Sequence, residues 1–328
     1  MTERESATDL DLLVLGDCNP DVLVLGDDVA PAFGQQEKLV GSISLVVGGS
    51  AAITAVAAAR LGLRVALAAA IGSDPAGEFM LGQLAGEGVD TTAVLRRPGL
   101  ATGMTVALSH GSDRAILTAL GAMTALVAAD VPDELLRRTR HLHVSSYFMV
   151  QHSLGPGLQQ LFASARARGT TTSLDTNWDP AGRWADDQLR AILTQTDVLL
   201  PNEEEARHLS GQPTLDGAIA SLTAAGPKVV VKLGARGALC VDGSRSHWIE
   251  PPPGPGLGPV VDTTGAGDCF NAGLITGLLG GLELPAAARL GCAAGSASTR
   301  AAGGTAAAPD LATAVALSES VTIKPGWQ

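Results

Sequence analysis

From His141 onward the chain alternates short apolar runs with segments of helix length, and this rhythm restricts the fold more than any other feature. The runs His141–Ser145, Thr171–Leu174, Val198–Leu200 and Val229–Leu233 read as strands. Between and after them, Leu158–Gly169, Asp186–Thr196, Asn202–Leu209 and Leu215–Ala225 read as helices. Strands joined by helical crossovers pair in parallel, and a parallel sheet needs helices on both faces. Such sheets take ligands at the carboxyl ends of their strands. Ala238–Val241 reads as an antiparallel return. The Pro/Gly-rich stretch Pro251–Pro259 reads as a surface loop, leading to a strand at Val260–Asp262 and a helix from Asp268. A last helix is expected over about Pro285–Arg300.

The first half is less regular. Leu12–Leu15, Val22–Leu25, Leu39–Val47 and Val65–Ile71 read as strands. Ser50 opens a helix after Gly48-Gly49 that runs to about Leu61, where Gly62 caps it, and Pro75–Gly88 reads as helical. Thr105–Ser109 and Ala115–Thr118 flank the turn Gly111-Ser112-Asp113 and read as a hairpin. Residues 21–50 and 102–120 therefore interrupt the alternation. They are expected to form a small β-sheet lid on a single α/β domain spanning residues 1–328. Aromatics are only 3% of a chain that is 46% hydrophobic, so the core must be built from Ala, Val and Leu.

Charge and hydropathy exclude several partners. A formal net charge of −11 disfavours nucleic acid and anionic membrane surfaces. The apolar stretch Ser44–Ile71 is broken by Gly48, Gly49, Arg60 and Arg64, short of the ~18 uncharged residues of a membrane span. Met1–Asp11 is polar and has no apolar core of a secretory leader, so a cytoplasmic location is expected. Cys18, Cys240, Cys269 and Cys292 form no C-x-x-C pair and read as buried thiols.

The densest chemistry lies in Val261-Asp262-Thr263-Thr264-Gly265-Ala266-Gly267-Asp268-Cys269-Phe270. A small glycine-rich turn opening a helix makes an anion hole, because the first N–H groups of the helix point into the turn and its dipole favours negative charge. Gly265 and Gly267 let the backbone approach a phosphate, and a carboxylate at Asp268 suits proton abstraction from an attacking hydroxyl. Taken alone, Asp268 could equally be a helix cap. No G-K-[ST] follows, so the turn is not a P-loop.

The segment closely resembles the D-T-x-G-A-G-D signature of the ribokinase/PfkB carbohydrate kinase family. The resemblance implies that Asp268 is the base and that Gly265, Ala266 and Gly267 form the anion hole. Four further segments resemble the family in order. Gly16-Asp17-Cys18-Asn19-Pro20-Asp21 implies that Asn19 and Asp21 bind substrate hydroxyls. Gly48-Gly49-Ser50 resembles the glycine pair and helix start that approach the substrate. Asn202-Glu203-Glu204-Glu205 matches N-x-x-E, which positions Mg²⁺ and phosphates through water, and Asn202 and Glu205 are the hard oxygen ligands that Mg²⁺ prefers. Lys232-Leu233-Gly234-Ala235-Arg236-Gly237 is similar to the strand and turn along the nucleotide, implying ATP contacts at Asn202, Lys232, Gly234, Gly237 and Thr263. Relatives often use K⁺, which by resemblance would sit at Asp262, Thr264 and the carbonyls around 297–302.

The pattern departs at Ile53, where the family usually has a substrate-contacting asparagine; this puts the ordinary sugar pose in doubt. Asp175 and Asn177 resemble a D-x-N segment that orients phosphate or metal in some sugar kinases, and otherwise read as a turn. Arg114, in the lid hairpin, is a candidate substrate contact. Tyr147 is a candidate for the pocket wall, and His141 and His143 read as structural. The resemblance implies an ATP-dependent kinase that phosphorylates a hydroxyl of a small sugar, working as a homodimer through the β lid. A nucleoside kinase of the same fold, a vitamin kinase of the wider superfamily and a non-catalytic ligand-binding relative are the alternatives.

Overall fold

A computed structural model describes residues 9–110, 113–253 and 258–326. Its strands are β1 (Leu10–Leu15), β2 (Asn19–Leu25), β3 (Ser42–Gly48), β4 (Val65–Ile71), β5 (Val94–Arg96), β6 (Met104–His110), β7 (Asp113–Ala119), β8 (Thr139–Val144), β9 (Thr171–Leu174), β10 (Val198–Leu199), β11 (Lys228–Lys232), β12 (Ala238–Asp242), β13 (Arg245–Glu250) and β14 (Thr322–Pro325). Its α-helices are α1 (Ser50–Arg60), α2 (Pro75–Gly86), α3 (Asp133–Arg138), α4 (Tyr147–Ala167), α5 (Asp187–Leu193), α6 (Glu203–Ser210), α7 (Leu215–Ala224), α8 (Ala266–Leu279), α9 (Leu284–Ser298) and α10 (Leu311–Ser318).

Ten strands form one sheet in the order β14-β13-β12-β11-β10-β9-β8-β1-β4-β5. The pairs from β11 through β5 are parallel, as the rhythm predicts, while β12, β13 and β14 add antiparallel at one edge. Alternation along β1 divides the core between the two faces. Leu12 and Val14 pack with α1, α8 and α9, and Leu13 and Leu15 pack with α4, α5 and α7. A second sheet, β3-β2-β6-β7, stands apart and contains both segments expected as the lid. The hairpin residues Gly111 and Ser112 lie outside the described residues.

Several local expectations are corrected. Helix α4 begins at Tyr147 rather than Leu158 and runs through Gly155-Pro156-Gly157. Burial of Leu154, Leu158 and Phe162 there outweighs the breaker residues, and a β-carbon on Gly157 would stand 2.6 Å from Ala128 Cβ, so the glycine permits close packing. Val260–Asp262 is not a strand. Both valines are more than half exposed, and the Val261 and Asp262 amides converge on one carbonyl, that of Thr299, at 2.8 and 3.3 Å. Strands β13 and β14 and helix α10 add structure where none was expected.

Candidate active site

The carboxyl ends of β1, β8, β9 and β11 meet the amino ends of α1 and α8. Gly265 caps α8 with φ +72°, a conformation that favours glycine, and a β-carbon on it would stand 2.6 Å from Gly304 Cα. Ala266 N–H donates to the Thr263 carbonyl at 3.2 Å and closes the turn. Among the described residues no side chain caps α8, and the first N–H groups of a helix have no partner within it. The anion-hole reading therefore narrows to Gly267 and its neighbour. Asp268 follows, buried, with its carboxylate accepting from the Ser50 hydroxyl at the start of α1. Burial and then the charge of Asp175 hold its pKa well above the usual carboxylate range, while Lys232 works against them.

Beside it lies a buried ion pair. Lys232 Nζ at the end of β11 is 2.5 Å from Asp175 Oδ2, after the end of β9. Asn271 Nδ2 donates to the same Asp175 oxygen at 2.5 Å. Burial pushes the Asp175 carboxyl up, but the Lys232 charge and these hydrogen bonds more than reverse it. A β-carbon on Gly267 would stand 3.5 Å from Lys232 Nζ, so the ammonium sits under the anion turn. Sequence reasoning missed Asn271, although its position three residues after Asp268 places both on one face of α8.

Asp17 was also missed as a site residue. It is buried, accepts from Ala51 N–H at 2.9 Å and from the Ser146 hydroxyl, and burial raises its pKa. Asn177 Nδ2 donates to the hydroxyls of Ser50 and Ser146 at 3.2 Å each. Ser146 and Asn177 both hold left-handed backbone, at φ +54° and +56°, and strain of this kind collects at functional sites.

The expected substrate segment converges here. Asn19 Nδ2 donates to Asp21 Oδ1 at 3.0 Å. A β-carbon on Gly48 would overlap Asp21 Oδ1, and one on Gly49 would stand 2.9 Å from Asn19 Oδ1. Arg114 lies on β7 opposite Ser109, and its side chain is outside the described residues. Asn202 and Glu205 form a reciprocal cap of α6. The Asn202 backbone amide and Nδ2 donate to the two Glu205 oxygens at 2.8 and 2.6 Å, and Glu205 N–H donates to Asn202 Oδ1 at 2.9 Å. Burial and then Asp175 raise the Glu205 pKa to about 7. Asn202 also bridges to Lys232. Gly234 and Gly237, both at positive φ, make the turn from β11 to β12.

At the far side of the turn, Asp262 Oδ1 accepts from Thr264 N–H and hydroxyl at 2.9 and 2.8 Å, and its Oδ2 accepts from Gly303 N–H at 2.9 Å. Two sequence expectations change. Ile53 is 3% exposed and packs under the turn; a β-carbon on Gly304 would stand 2.4 Å from its Cδ1. It supports the turn at Gly265 and Gly304. Tyr147 is fully buried in the opposite core, its hydroxyl donating to Gln188 Oε1 at 3.2 Å, and does not line the site. All four cysteines are free and buried, as expected.

Three carboxylates, Asp175, Glu205 and Asp268, thus act on the Lys232 ammonium, with Asp17 beside Asp268, and Asp17, Glu205 and Asp268 have raised pKa values. Such a surplus suits a divalent cation held partly through water. Among the described residues no group of three or more His, Cys, Asp or Glu could hold a metal directly.

A mostly parallel sheet, a separate four-stranded sheet and a carboxylate behind a glycine turn are together the architecture of the ribokinase-like small-molecule kinases. The family model described as pfkB family carbohydrate kinase matches residues 9–311, and the chain belongs to that family. It is 31% identical to the ribokinase of Haemophilus influenzae over 86% of this chain and 90% of that protein. It is 28% identical to the cytidine kinase of Thermococcus kodakarensis over 86% of this chain and 93% of that protein. In fold it is similar to a putative ribokinase II from E. coli in complex with ATP and Mg²⁺, with TM-score 0.81 and 24% identity over 94% of this chain and 99% of that one.

Proposed function

We propose that the protein transfers the γ-phosphoryl group of ATP to a hydroxyl of a small sugar, with Asp268 as the general base. The observation that carries this reading is the burial of Asp268 against the Ser50 hydroxyl, directly behind the Gly265–Gly267 turn. An acceptor held by Asn19, Asp21, Gly48, Gly49 and Ser50 presents its hydroxyl to that carboxylate. The Asn19–Asp21 pair suits a vicinal diol, because one residue donates and the other accepts. Gly265, Ala266 and Gly267 shape the anion hole, and Gly267 N–H with Lys232 faces the phosphoryl group as charge develops. The nucleotide runs along Thr263, Asn202, Lys232 and the Gly234–Gly237 turn. Positioning and charge stabilisation supply most of the rate.

Mg²⁺ fits the carboxylate surplus and would be held through water by Glu205 and Asn202, where it neutralises phosphate charge. K⁺ is proposed beside Asp262 and Thr264, where the Asp262–Gly303 bond draws the 297–302 segment against the turn. The four-stranded sheet is proposed as a lid, carrying Arg114 toward the acceptor, on a single domain. Ile43, Leu45, Ile116 and Leu117 are 65%, 44%, 55% and 64% exposed on its outer strands β3 and β7, which supports pairing of two lids in a cytoplasmic homodimer. The resemblance to a cytidine kinase keeps a nucleoside acceptor as the second reading.

The test is ATP consumption against a panel of sugars and nucleosides, with Mg²⁺ and with or without K⁺. Turnover with one sugar supports the reading; turnover with a nucleoside alone moves it to the second. No acceptor-dependent turnover despite ATP binding overturns it.

A further inference from the structure

Strands β8 and β9 carry a polar stripe that phosphoryl transfer does not use. His141, His143 and Ser145 alternate on one side, Thr171 and Ser173 on the other, with His141 opposite Thr171 and His143 opposite Ser173. The stripe shares the sheet face of Leu12 and Val14, which pair with His141 and His143 across the register. Its hydroxyls and imidazoles stand in single file. Thr171 Oγ1 is 2.6 Å from His141 Nδ1, and His141 Nε2 is 2.7 Å from Ser173 Oγ. Ser173 Oγ is 2.7 Å from His143 Nδ1, and His143 Nε2 is 2.8 Å from Ser145 Oγ. Every member except Thr171 is at most 1% exposed.

The file has two distinct ends. Thr171 and His141 line a groove of about 650 Å³ at the amino edge of the sheet, beside Arg140 and Leu278. Ser145 leads directly into Ser146, the strained residue that binds Asp17 and Asn177 at the candidate active site. Burial draws the pKa of His141 down to about 3 and that of His143 to about 4, so both rings stay neutral at working pH. The charged groups felt by His143 are Asp175, which opposes the shift, and Lys232, which adds to it.

Ser173 has one hydroxyl hydrogen and faces two ring nitrogens, so it donates to one imidazole and accepts from the other. A neutral imidazole carries one N–H. If Ser173 donates to His143 Nδ1, both rings carry their hydrogen on Nε2; if it donates to His141 Nε2, both carry it on Nδ1. One proton position fixes the whole file.

We propose that His141, Ser173 and His143 are positioning residues: they lock each other in one shared tautomer and hold the Ser145–Ser146 corner on which Asp17 and Asn177 depend. The role in turnover rests on the kinase reading; the tautomer coupling does not.

The test is ¹⁵N-histidine NMR of the full chain, followed by Ser173→Ala and Ser173→Thr. Native protein should show both rings neutral and in the same tautomer from pH 5 to 8. Ser173→Ala should uncouple the two rings. With the panel sugar that turns over, it should lower acceptor kcat/KM about tenfold, the worth of one lost buried hydrogen bond, without moving KM for ATP. Ser173→Thr, which keeps the hydroxyl, should restore both. Opposite tautomers in the native protein overturn the proposal without any substrate, so its failure is distinct from failure of the kinase reading. Ser173→Ala at wild-type kcat/KM overturns it as well.

Discussion

Lys232 and Asp175 form a salt bridge of 2.5 Å between side chains only 14% and 6% exposed, tying the end of β11 to the end of β9 beneath the Gly267 turn. A pair this deep gains little net stability, since desolvation offsets attraction, yet losing one partner strands a buried charge. Lys232→Met should therefore destabilise the fold by about 3–5 kcal/mol in urea titrations. Adding Asp175→Asn should recover much of that loss, because no charge is then left behind. If the double variant is no more stable than the single one, the pair is not the source.

The two glycines of the anion turn should separate folding from function. A methyl on Gly265 meets Gly304 backbone at 2.6 Å and requires positive φ, so Gly265→Ala should lower both melting temperature and activity. The nearest neighbours of a methyl on Gly267 are atoms of the Lys232 side chain, at 3.5 Å or more, inside a helix where Ala is favoured. Gly267→Ala should keep the native melting temperature yet lose at least about tenfold in kcat/KM, because the methyl crowds the Lys232 ammonium at the anion turn.

Ile53 should behave as core. Ile53→Asn, the residue expected from the family pattern, puts a polar amide where a buried apolar side chain packs against Gly304, and should destabilise by about 2–4 kcal/mol. Ile53→Val should cost only about 0.5–1.5 kcal/mol. A stable Ile53→Asn with altered acceptor preference would return Ile53 to the substrate pocket.

Much of this was legible because the decisive signals are local. The β-α rhythm needs only periodicity, and the D-T-x-G-A-G-D turn needs only adjacent residues. The four-stranded sheet followed from segments that break the rhythm. What escaped depends on distant partners. Asn271 and Asp17 are ordinary polar residues until Asp175 and Ala51 come alongside. Val260–Asp262 has strand composition, but its amides find Thr299 instead of a ladder. Gly155-Pro156-Gly157 looks like a helix break until Gln188 and Ala128 press against it. β14 is a short edge strand that exists only because β13 offers it a partner.

Glu205 should leave a mark on the pH dependence of stability. Its pKa rises from 4.5 to about 7 in the fold, through burial and then the Asp175 charge. The folded state therefore binds more protons than the unfolded chain between these values. Glu205's favourable contribution is whole below pH 4.5 and gone once pH passes about 7, a loss of up to about 3 kcal/mol. Urea titrations from pH 4.5 to 8 should show that falling limb, and Glu205→Gln should flatten it. An unchanged limb in the variant would assign the titration to another group.

Proton transfer from the acceptor hydroxyl to Asp268 is the step on which the proposed function turns. Its direct measurement is kcat of Asp268→Asn in the ATP-consumption assay, beside thermal unfolding and ATP binding of the same variant. A general base contributes about 10²–10⁴-fold, so kcat should fall by that factor while melting temperature and ATP affinity hold. A folded Asp268→Asn that keeps more than about a tenth of wild-type kcat would mean that Asp268 is not the base.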